Sequence, residues 1–156
     1  MKKIPYFLLL ITSILLVAAQ KKPSLKETID FIKPKLTGRI YTTDPYCLFE
    51  FNYKTNTVIY SKVSEFMGKI DTTVYTFQLK NINFKNIKYN VDTKFMELQV
   101  NNEKDLIEMY ENYNGEIRVI NISSVSIKIK DEENVNRLRA AFTNAIKLAG
   151  GQGEIF

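Results

Sequence analysis

The chain has 156 residues, with 22 basic and 17 acidic side chains, a formal net charge of +5, no histidine, no tryptophan and one cysteine. Without histidine, Ser-His-Asp and Cys-His catalysis are excluded and the commonest zinc ligand is missing. A lone cysteine also excludes an intramolecular disulfide and a cysteine-rich metal site, so the fold must hold by packing.

Met1-Lys2-Lys3 is a short basic start, Ile4–Val17 is largely apolar, and Ala18-Ala19-Gln20 follows. This is the layout of a secretory signal peptide. Cleavage after Ala19 puts small residues, Ala19 and Val17, at the two positions that a peptidase reads. The apolar run is shorter than the ~18–20 residues that span a bilayer. The expected product is Gln20–Phe156, exported to the periplasm or beyond, with the membrane met only through the signal peptide. Lys2 and Lys3 leave with that peptide, so 20 basic and 17 acidic residues remain and the net charge falls to +3. Such a charge does not argue for nucleic acid. The length suits one domain with its own core. The expected organisation is a signal peptide over 1–19, one α+β domain over 20–151 and a tail over 152–156. Abundant Lys, Asn and Ile, together with the signal type, point to a bacterial source.

Ser24-Leu25-Lys26-Glu27 reads as a capping box. Leu25, Ile29, Ile32 and Leu36 recur on one helical face, and Pro34 is expected to end or kink the helix, placing it at about Leu25–Lys33. From Arg39 to Lys130 the period becomes two. Cys47, Phe49, Phe51 and Tyr53 share a face, Lys54-Thr55-Asn56 is a turn, and Val58 and Tyr60 oppose Ile59 and Val63. Glu65–Asp71 reads as a linker around Gly68. Thr73, Tyr75, Phe77 and Leu79 alternate, as do Met96, Leu98 and Val100. Leu106–Glu111 is a further strand, Asn114-Gly115 a hairpin signal leading into Ile117–Ile120, and Val125, Ile127 and Ile129 the sharpest half-buried strand. Cys47, inside an apolar stretch, is expected to be a buried, inert thiol. About seven strands in an antiparallel meander result. The period then returns to 3.6. Asp131 is placed to cap, Glu132 and Glu133 favour a helix N-terminus, and Val135, Leu138, Phe142, Ala145, Ile146 and Ala149 form one apolar face before Gly150-Gly151.

A strand run closed by one amphipathic helix, Val135–Ala149, resembles the pleckstrin-homology-like superfold in element order over roughly Tyr46–Ala149. That resemblance implies a curved antiparallel sheet or partly open barrel, with the C-terminal helix packed on it and the N-terminal helix as an addition. Leu25-Lys26-Glu27-Thr28-Ile29-Asp30-Phe31-Ile32 and Arg137-Leu138-Arg139-Ala140-Ala141-Phe142 are similar to segments of small secreted proteins of unknown function from Bacteroidota. Neither resemblance brings catalytic residues with it.

The remaining chemistry is carboxylate chemistry. Glu108 and Glu111 would face opposite sides of a strand, and Asp131-Glu132-Glu133 fits helix-dipole compensation. No Ser-x-x-Lys or glycine-rich phosphate loop occurs. No catalytic, metal or cofactor residues are assigned. The candidate surface for an anionic partner is Lys80, Lys85, Lys88 and Lys94, interleaved with Phe84, Ile87 and Tyr89. The same pattern fits a solvated loop and edge strand whose lysines discourage pairing. The expectation is an exported, non-enzymatic binding module for an unknown protein or a small apolar ligand held between sheet and C-terminal helix. The alternatives are a carboxylate-dependent hydrolase of an envelope glycan and an apolar-ligand carrier.

Overall fold

A computed structural model describes residues 22–39, 44–101, 104–129 and 132–152. The proposed signal peptide, the Asp131 cap and residues 153–156 of the tail lie outside the described residues.

The first helix, α1 (Leu25–Leu36), starts at the capping box read from the sequence. The Ser24 hydroxyl accepts from the Glu27 N–H at 3.3 Å, and the Ser24 N–H donates to the Glu27 carboxylate at 2.6 Å. Its buried face is Thr28, Ile29, Ile32 and Leu36. The helix runs past Pro34 to Leu36, three residues beyond the expected end. Pro34 removes the donor to the carbonyl four residues back and its ring crowds that carbonyl, but it falls in the last turn, where little helix remains to be lost.

Eight strands follow: β1 (Tyr46–Asn52), β2 (Thr57–Phe66), β3 (Lys69–Gln78), β4 (Lys88–Asn90), β5 (Phe95–Gln99), β6 (Ile107–Tyr113), β7 (Glu116–Ile122) and β8 (Ser124–Lys128). The last element is the helix α2 (Val135–Leu148), preceded by a short 3-10 turn over Glu132–Asn134. All the pairings are antiparallel. They make two sheets, in the order β1-β2-β3-β6-β7 and β4-β5-β8. The α+β class therefore holds, but the meander does not: the described residues form two sheets rather than one run of about seven strands. The chain leaves the first sheet after β3, builds two of the three strands of the second, and returns as β6 beside β3.

The excursion has a local cause. Leu79, Ile82 and Ile87 are fully buried, three and five residues apart rather than two. Those spacings suit the 3-10 turns Leu79–Asn81 and Phe84–Asn86, not a strand. Asn83, 1% exposed, satisfies the bend. Its side chain accepts from Lys85 N–H at 3.0 Å and its N–H donates to the Gln99 carbonyl at 2.8 Å.

The supposed linker at Glu65–Asp71 is instead the β2–β3 hairpin, with Phe66 opposite Lys69 and positive φ at Met67 (51°) and Gly68 (75°). Methionine is a poor residue for that conformation, which hid the turn. The Asn114-Gly115 hairpin joins β6 to β7 as the sequence implies, with φ of 53° and 87°.

One core joins both sheets and both helices. It contains Ile29 and Ile32 of α1, Phe49, Val58, Tyr60 and Phe77 of the large sheet, Met96, Leu98, Val125 and Ile127 of the small one, and Leu138, Phe142 and Ile146 of α2. Phe142 meets Phe49 edge to face, with centroids 6.3 Å apart. The helices meet through Asn144, whose amide donates to the Thr28 hydroxyl at 2.9 Å.

Candidate functional site

Cross-strand partners share a face of a sheet, so the registers sort the large sheet into rows. One inner row runs Phe49, Tyr60, Tyr75, Met109, Ile120, and the next runs Cys47, Lys62, Thr73, Glu111, Arg118. All the fully buried residues of this sheet, namely Phe49, Val58, Tyr60, Phe77 and Ile107, lie on that inner face. The core ends where the second row begins.

Lys62 marks that boundary. Its ammonium lies 5.0 Å from the Tyr75 ring centroid and 5.8 Å from those of Tyr60 and Phe95. It makes no ion pair among the described residues. Burial pulls its pKa below the usual lysine value, because desolvation penalises the charged form. Cys47, directly opposite, is a free thiol and only half-buried, which corrects the expectation of a buried one. It sits on the row where the core gives way to solvent. Tyr60 is fully buried, and burial drives its phenol far above the ordinary range. Its hydroxyl lies near the Cys47 thiol and the Lys128 backbone but makes no hydrogen bond among the described residues.

The outer face has the opposite character. Its rows are Tyr46, Val63, Thr72, Asn112, Ile117; then Leu48, Ser61, Val74, Tyr110, Val119; then Glu50, Ile59, Thr76, Glu108, Asn121. No side chain of these rows is fully buried. Many are apolar, and Ile117 and Val119 are 65% and 57% exposed. Both belong to β7, which ends the sheet and has no partner strand on its far side among the described residues. The other edge, β1, is covered over its first half. Gly38 and Cys47 exchange backbone hydrogen bonds of 2.8 and 3.0 Å, and the Phe49 N–H donates to the Thr37 hydroxyl at 3.3 Å.

The four lysines singled out from the sequence fall on different elements. Lys80 and Lys85 are exposed on the two 3-10 turns, and Lys88 lies on β4 opposite Glu97. Lys94 pairs with Glu132 at 2.7 Å. Lys88 lines a groove of about 490 Å³ with Tyr89, Asn90, Phe95, Glu97 and Ser126. Phe84 and Tyr89 pack against the core, with the Lys147 ammonium 4.6 Å from the Phe84 ring centroid. A second, more apolar groove of about 430 Å³ lies between the helices and is lined by Phe31, Ala140 and Ala141 with Glu27 and Arg137. Among the described residues no cluster of three or more cysteines and carboxylates could hold a metal ion. Nor is any described helix long and apolar enough to cross a membrane.

Sequence reasoning missed Lys62 and the β7 edge for different reasons. Strict alternation from Val58 and Tyr60 already aims Lys62 inward, so that signal was present. The identity of the edge strand depends on strand order, which has no local signature. Comparison with protein-family models, with curated proteins and with solved structures finds no match to this chain.

Proposed function

We propose that this protein is an exported, non-catalytic interaction module that works through the outer face and β7 edge of its large sheet. One observation carries the reading: an apolar edge strand, with Ile117 and Val119 more than half exposed, adjoins a sheet face with no fully buried side chain. Folded chains usually blunt such an edge with charged side chains, proline, a bulge or a covering segment; the charges of β7, Glu116 and Arg118, lie on its inner side, which leaves the exposed apolar pair Ile117 and Val119 on the outer side as the interaction surface. The spacing of carboxylates on that face supports binding over hydrolysis. Glu50 and Glu108 share a row but lie three strand intervals apart, about 14 Å at the usual spacing, beyond the ~5–9.5 Å between the carboxyl groups of a glycosidase.

Kinship with the pleckstrin-homology-like superfold and an origin among secreted Bacteroidota proteins belong to the same proposal. The first is supported by the C-terminal helix docked on the sheet's inner face through Phe142; the second rests on the likeness of the segments 25–32 and 137–142, with the leader-like residues 1–19 bearing on secretion alone. A photo-reactive residue at Val119, compared with one at exposed Asn136 on α2, tests the working surface in the protein's own host. A discrete adduct from Val119 alone is expected; no adduct there, or equal labelling at both positions, overturns the reading. Fractionation with N-terminal sequencing tests export, for which a mature chain starting at Gln20 is expected.

A further inference from the structure

The partner that β7 fits best is a second β7. We propose that two copies of this chain pair antiparallel along this edge, about a two-fold axis through Ile117, extending each five-stranded sheet into one of ten. The inference rests on reading β7 as a working edge and adds the identity of what covers its first half: about Ile117 the register pairs residues 116–118 strand to strand and sets Val119 opposite the partner's Gly115.

The strand sequence is Glu116-Ile117-Arg118-Val119-Ile120-Asn121-Ile122. Ile117, Val119 and Asn121 lie on the outer face, and Glu116 and Arg118 on the inner one. Continuous faces require that residues of the same face oppose one another across the seam, so the axis must pass through a residue. An axis through Glu116 or Arg118 sets like charges against each other. An axis through Val119 sets Arg118 against the partner's Ile120 and Glu116 against the partner's Ile122, leaving both charges facing aliphatic groups. Only the axis through Ile117 pairs Glu116 with the partner's Arg118, and it does so twice. It also sets Ile117 against the partner's Ile117 on the exposed outer side.

The charges already within the chain agree with that register. Arg118 is opposed on β6 by Glu111, with no ion pair between them among the described residues. Adding the partner's Glu116 gives the order acid, base, acid across the seam, with no like charges adjacent. The first half of the β1 edge offers no equivalent, because residues 37 and 38 occupy the Cys47 backbone groups and the Phe49 N–H, and β1 carries no acid–base pair that would match itself across a two-fold axis. The pairing is therefore of β7 with β7 and closes at two copies instead of propagating into a fibre. The seam covers few residues, so the dimer is a dissociating one.

Sedimentation equilibrium of the purified protein over a wide concentration range reads the assembly. The expected result is a monomer–dimer equilibrium. Glu116→Arg or Arg118→Glu alone places like charges opposite at both contacts and should weaken the dimer roughly tenfold. Mixing these two variants should restore association as a heterodimer, because each then carries the charges that the other lacks. Both positions are exposed, and circular dichroism of each variant checks that folding is unchanged. A wild-type chain that stays monomeric at its highest soluble concentration overturns the proposal. So does a dimer insensitive to both charge reversals. In the monomeric case a Val119 adduct to a different protein would still uphold the broader reading, so the two failures can be told apart.

Discussion

The two edges of the large sheet are built from similar strands, seven residues each, yet they end in opposite states. At β1 the chain folds back so that Gly38 and Thr37 satisfy the backbone of Cys47 and Phe49, while α1 and α2 cover the inner face behind them. At β7 no segment returns among the described residues, and Ile117 and Val119 stay in solvent. An apolar strand edge is a liability that folds usually neutralise. One edge is partly covered and the other is not, and the uncovered one is the surface proposed for interaction.

The largest expected effect breaks the covered side. Phe142→Ala empties a fully buried position against Phe49 and should cost about 3–5 kcal/mol in chemical denaturation. A loss below about 1 kcal/mol would mean that α2 is not docked through this ring. Next, Thr37→Val removes the cap on the β1 edge while keeping the side-chain shape, and leaves the Phe49 N–H without its acceptor. A cost of about 1–3 kcal/mol is expected. Slower amide exchange at Phe49 in the variant would contradict the assignment of that edge.

Tyr60→Phe probes the inner face where it meets the polar row. The hydroxyl is buried without a hydrogen bond, so its removal should change stability by less than about 1 kcal/mol at neutral pH. The pH dependence has a definite sign. Burial raises the folded-state pKa above the ordinary tyrosine value of 10.0. Below that value both states are protonated and the tyrosine adds no slope. Above it the unfolded chain loses the proton first, so wild-type stability falls as pH rises. The phenylalanine variant should lose this component of the alkaline decline, and parallel stability curves for the two proteins above pH 10 would refute it.

The smallest effects belong to the open side. Ile117→Lys with Val119→Lys changes only exposed positions and should shift stability by less than about 0.5 kcal/mol while abolishing any adduct at the β7 edge. Lys85→Glu with Lys88→Glu should likewise leave folding intact, since both side chains are exposed. Loss of the cooperative unfolding transition in that double variant would show that the excursion between the sheets depends on them.

Much of this architecture is legible one element at a time. The capping box at Ser24, the face Ile29-Ile32-Leu36, the alternation through Val125, Ile127 and Ile129, the Asn114-Gly115 turn and the apolar stripe of α2 all appear where local patterns place them. The misreadings share a cause. At Met67-Gly68 and at Pro34 a residue with an adverse local preference was carried by pairing and packing on either side of it. At Leu79–Ile87 spacings of three and five were masked by the lysines and asparagines between the buried groups. The candidate surface was less visible still. The lysines over residues 80–94 stand out in the chain but are dispersed over two turns, a strand and a loop, whereas Ile117 and Val119 read only as part of the strand that follows the hairpin.

By itself, then, the sequence determined the chemistry that is missing, the leader-like start, the element types and which side of each strand is apolar. These follow from residue identity and from periods of two and 3.6, which are properties of neighbours along the chain. Tertiary structure decided which strands adjoin. It sent β5 to β8 and β6 back to β3, and so left β1 and β7 as the two ends of the large sheet, the first half of β1 covered by residues 37 and 38 and β7 without a neighbour among the described residues. An edge is defined by the strand that is not beside it, and no local pattern can encode a neighbour's absence.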